Sequence, residues 1–198
     1  MSLELPTHFL PLAALYPEIH YRLRYLPFSR YFRREPEIIL DAPCRLEPGA
    51  RLPLLITVKD ANRFPVKLLE LKVEARANNH SFNWSVRFPD QIIKHHWWWQ
   101  IEEIDLPDES PCRWSINATL DVQIGSRTRQ VQIDNIPGLS HSPLEVIQSG
   151  ESLPRRDGWI YGDFHVHTHY TEDQVEFGGP LGAYPVMGKA LGLSFTLP

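Results

Sequence analysis

Cysteine is scarce in this chain: Cys44 and Cys112 are the only two in 198 residues. That excludes a small scaffold held together by disulfides. The two lie far apart, each directly after a proline, and they are expected to be unrelated buried thiols rather than a bridge. Glycine is also modest, at 11 against 18 prolines, which disfavours long helices and favours short strands and turns. No apolar run approaches the roughly 20 residues that a membrane-spanning helix needs. The start of the chain carries Glu4 and breaks its apolar run at Pro11, so it does not read as a signal peptide, and a cytoplasmic location is expected. The glycosylation patterns Asn83-Trp84-Ser85 and Asn117-Ala118-Thr119 then carry no weight. Charge of one sign is lacking too: 20 Lys and Arg face 24 Asp and Glu, a net of −4. Neither nucleic acid nor an anionic membrane is an expected partner.

What is present is ordinary globular material, 42% hydrophobic and 22% charged. Residues 1–35 read as an irregular N-terminal segment, with a short alternating run at Tyr21–Leu26 and arginines at 30, 33 and 34. Those arginines are not a sustained basic arm and are expected to pair with acids of another part of the fold. Residues 36–135 read as successive strands. Leu69, Leu71, Val73 and Ala75 alternate with charged residues, and Phe82, Trp84, Val86 and Phe88 repeat the pattern. Trp114, Ile116, Ala118, Leu120, Val122 and Ile124 alternate without a break. Two sheets that are each apolar on one face must bury those faces together, so an antiparallel β-sandwich is expected.

The cluster His95-His96 beside Trp97-Trp98-Trp99 is conspicuous. Neighbouring residues of a strand face opposite ways, so the two histidines do not suit one metal, and at least one tryptophan is expected to pack inward. Residues 136–157 have the proline, glycine and serine of a linker, with Leu144–Ile147 as an optional edge strand.

Residues 158–198 hold the densest chemistry. In Gly162-Asp163-Phe164-His165-Val166-His167-Thr168-His169, an extended strand would turn Asp163, His165 and His167 to one face, and Phe164 and Val166 to a packed layer. Neutral imidazole and carboxylate suit divalent transition metals. His165 and His167 are therefore the leading metal ligands, with His169 as a further ligand or a supporting donor, and Asp163 as a group that fixes an imidazole tautomer. After the acidic pair Glu172-Asp173, Pro185 suits the first turn of a short helix and Gly192 its C-terminal cap. A second strand follows at Leu193–Leu197.

This stretch resembles the first metal motif of the PHP (polymerase and histidinol phosphatase) superfamily, whose barrel opens on a strand carrying His-x-His. Gly178-Gly179-Pro180, the Lys189–Gly192 stretch and the second strand fit the same pattern. Where that family commonly has Ser-Asp-Gly, this chain has Thr171-Glu172-Asp173, so both Glu172 and Asp173 are candidate ligands and catalytic groups. The resemblance covers about forty residues and stops where a Thr-Asp-His-like second motif is expected. It implies a mainly β chain: the sandwich, then the first β/α/β portion of a truncated β/α barrel. It also implies the N-terminal part of a metal-dependent hydrolase, a phosphoesterase using metal-activated water, inactive as this chain alone. Zinc, manganese or iron would be the cofactor, and a small phosphorylated molecule the substrate. The competing expectation is a β-sandwich that binds carbohydrate or protein through Trp84, Trp97, Trp98 and Trp99, with an incidental histidine tail.

Overall fold

The computed structural model describes residues 34–78, 80–107, 110–133, 142–154, 156–170 and 178–197. The run at Tyr21–Leu26, the arginines at 30 and 33, and Glu172 and Asp173 lie outside them. Twelve strands are present among the described residues. Three form one sheet in the order β1 (Glu37–Asp41), β3 (Leu52–Lys59), β7 (Trp97–Ile104), all antiparallel. The second sheet runs β2 (Arg45–Leu46), β10 (Leu144–Gln148), β8 (Cys112–Ile124), β4 (Val66–Ala77), β5 (His80–Arg87). To it β6 (Ile92–Ile93) adds on β4, and β9 (Arg127–Gln132) on β8. Leu40, Leu54 and Ile56 of the first sheet and Val73, Ile116 and Leu120 of the second belong to one buried apolar cluster. The chain is thus mainly β, two largely antiparallel sheets closed over a common core.

Three sequence readings need correction here. In β4 the pairing with β8 slips between Leu68 and Glu70, a bulge that turns Leu68 rather than Leu69 into the core beside Leu71. Leu144–Gln148 is neither linker nor edge: β10 is flanked by β8 and β2, and Val146 is fully buried. Its Gln148 accepts a hydrogen bond from the buried Trp114 indole at 2.9 Å. Of the two free thiols, Cys112 is buried as expected but Cys44 is exposed.

In β3 seven of eight residues are buried, so both of its faces are covered. Leu52, Leu54, Ile56 and Val58 belong to the core. The opposite side holds Leu55 and Thr57, in rows with Asp41 and Ile101, and with Ile39 and Trp99. The C-terminal portion of the chain lies against that outer face.

This portion contains β11 (Gly162–Asp163), a 3-10 turn at Leu181–Ala183, helix α1 (Tyr184–Leu191) and β12 (Phe195–Thr196). β11 and β12 pair in parallel with α1 between them, a single β/α/β unit. Pro185 sits in the first turn of α1. Gly192 closes it at φ +88°, its amide donating to Lys189 O while that of Leu193 donates to Gly188 O, the paired bonds of a Schellman motif. The Glu47 amide donates to Ala190 O, and the Arg45 guanidinium donates to Leu191 O and to Glu151 O. On the same outer face, at the β7 edge, Trp99 packs so closely on Gly182 that a Cβ there would lie 2.7 Å from the indole. No described helix is long and apolar enough to cross a membrane.

Candidate metal centre

β11 ends after two residues, and the chain from Phe164 to His167 is irregular rather than the extended strand expected. The reason is local. The Asp163 carboxylate accepts the backbone amide of His165 at 3.0 Å, a side-chain turn that competes with strand pairing. Asp163 therefore shapes the backbone instead of holding an imidazole tautomer. The same departure leaves Phe164 75% exposed, not packed in a layer, with only an edge contact to the Phe195 ring at 5.0 Å.

Despite the lost pleat, the two imidazoles converge. His165 Nε2 and His167 Nε2 stand 3.0 Å apart. In such an N–H···N bond a single proton is held between two lone pairs, and a divalent cation can take its place. The spacing is close to that of two nitrogens sharing one ion at about 2.0–2.1 Å each. Both rings lie just past the carboxyl end of β11, beside the end of β12, where parallel β/α units place their ligands.

His169 goes elsewhere. Its Nδ1 accepts the Leu181 amide at 3.2 Å, which in the neutral ring leaves the proton on Nε2. The ring leans on Tyr170 at 3.9 Å and on Trp97 of β7 at 5.3 Å. It ties the histidine loop to the sandwich and to the 3-10 turn, and it does not join the pair. Among the described residues no three His, Cys, Asp or Glu side chains gather closely enough to hold an ion. The two imidazoles are thus the donors brought together there, fewer than the three protein ligands of a catalytic zinc site.

What holds the pair in place was not read from the sequence. The Tyr184 hydroxyl, from the first residue of α1, donates to His167 O at 2.5 Å and accepts the Gly179 amide at 3.1 Å. Burial raises the Tyr184 hydroxyl above its ordinary pKa, so it remains a donor at neutral pH. Thr168 bridges to Gly179 in parallel fashion, and the His169 amide donates to Gly179 O at 2.9 Å. A Cβ on Gly178 would lie 2.2 Å from Thr168 O, so only glycine allows this approach.

The pair opens on a cleft of about 830 Å³ between the C-terminal portion and the outer face of the three-stranded sheet. Asp41 of β1 reaches the same cleft. Asp41 is exposed, but desolvation by the surrounding cleft raises its carboxyl above the usual carboxylate range, partly opposed by the Ala42 amide it accepts. The only signal for Asp41 in the sequence is its place at the end of an apolar strand.

Among the described residues, His96 and the tryptophans of β5 and β7 make contacts within the fold. His96 Nδ1 meets the Asp60 carboxylate at 3.1 Å at the start of β7, while His95 is exposed. Trp84 and Trp98 pack against the core, Trp97 against His169, and Trp99, still 40% exposed, against Gly182. Compared with known proteins, the chain matches no family model and no curated sequence.

Proposed function

We propose that this chain carries part of the metal centre of a metal-dependent hydrolase acting on phosphoesters, as the resemblance to the PHP superfamily implies. The supporting observation is the 3.0 Å approach of His165 Nε2 to His167 Nε2 at the mouth of a cleft. Zinc, manganese or iron would be held by these two rings, with Glu172 or Asp173 as candidates to complete the set. Such an ion polarises a phosphoryl oxygen and lowers the pKa of bound water. The residues of this chain would do the positioning: Tyr184 and Gly179 fix the His167 backbone, Asp163 fixes that of His165, and His169 anchors the loop. Two imidazoles leave a tetrahedral ion half-ligated, so weak binding and background turnover are expected of these residues alone.

Calorimetric titration of the chain with zinc tests this. One ion per chain is expected, lost in His165→Ala and in His167→Ala but kept in His95→Ala. Absence of binding, or binding indifferent to His165 and His167, would refute it.

A further inference from the structure

The cleft is larger than an ion requires, and its 830 Å³ lies within the range of small-molecule sites. One wall is the outer face of the three-stranded sheet, with Ile39 and Leu55. The facing wall is α1 and the segment after it, with Met187, Leu191 and Leu193. These last three are half-buried, so apolar surface remains turned to the gap. His165 and His167 stand on the same cleft wall as Asp163 and Tyr184.

The polar groups available decide what could bind. No lysine or arginine is among the described residues that line the cleft. The acids there are Asp41 and Asp163, and the second already accepts the His165 amide. A small, highly charged phosphoester would find no cationic cradle in the cleft itself, and affinity must come from apolar contact at about 25 cal/mol per Å² covered.

We infer that the cleft takes an amphiphilic ester, its alkyl or aryl body lying between the sheet face and α1 and its anionic head at His165 and His167. The placing of the head rests on the metal-centre reading; the placing of the body does not. In this arrangement the sandwich supplies one wall of the binding site.

The test compares n-octyl phosphate with ethyl phosphate by calorimetry on the full chain, with and without one equivalent of zinc. Six further methylenes, even partly buried, give n-octyl phosphate an advantage of at least about tenfold. Met187→Glu and, separately, Leu193→Glu reduce that advantage to within about twofold while zinc uptake stays as in the parent. Equal binding of the two esters overturns the inference, as does an advantage that survives both substitutions. Failure of the metal reading gives a different result: no zinc is taken up, yet n-octyl phosphate still outbinds ethyl phosphate. That outcome supports the placing of the body and overturns the placing of the head.

Discussion

At the scale of single residues, His165 and His167 were legible because residue type and a spacing of two carry chemistry directly. Their rings do meet, but by another route than a pleat: a short irregular segment that the Asp163 carboxylate starts and the Tyr184 hydroxyl holds. Tyr184 was not legible, since its contact with His167 O spans 17 positions and follows no local period. Removing that hydroxyl tests its importance. Tyr184→Phe leaves a carbonyl and an amide without their partner, at a cost of about 1–3 kcal/mol. Loss of such a supporting contact also weakens metal binding by about 10–100-fold. Urea unfolding and zinc titration should show both effects, and an unchanged zinc affinity would mean that the His167 backbone is held by other contacts.

At the scale of elements, alternation revealed most strands, because a half-buried sheet imposes a period of two on the sequence. Helix α1 was legible from Pro185 and Gly192. A bulge was not, since an inserted residue such as Leu69 breaks the period without changing composition. Nor was β10, whose flanking prolines and serines resemble a linker although Val146 is fully buried. The loop-to-helix crossing at Gly178-Gly179 is the most demanding junction. Gly178→Ala forces a methyl against the Thr168 backbone and should cost about 1–3 kcal/mol. Circular dichroism is expected to retain the sheet signal while zinc uptake is lost. Full zinc uptake in that variant would show that the Thr168 bridge does not support the pair.

At the scale of the molecule, the two portions are joined at Glu47. Its amide donates to Ala190 O, and its carboxylate pairs with Arg45 and accepts the Leu153 amide at 3.0 Å. Burial works to raise this carboxyl, but Arg45, the Ser152 hydroxyl and the Leu153 amide together hold it below its ordinary value. A carboxylate lowered in this way stabilises the fold above its unfolded value of about 4.3. That contribution fades as pH falls through its lower folded value. Between about pH 6 and pH 3 the parent chain should therefore lose more stability, by urea midpoint, than Glu47→Gln does. Equal losses would place the acid sensitivity at other carboxylates. None of this could be read from Glu47-Pro48-Gly49, which looks only like a turn.

The double covering of β3 has a consequence for how the chain can be divided. Composition suggests a cut near residue 157, but a sandwich released there would carry Ile39, Leu55, Trp97 and Trp99 on a wall with its roof removed. Such a wall adheres to copies of itself. Released at that point, the sandwich is expected to self-associate, which sedimentation of residues 34–157 would show.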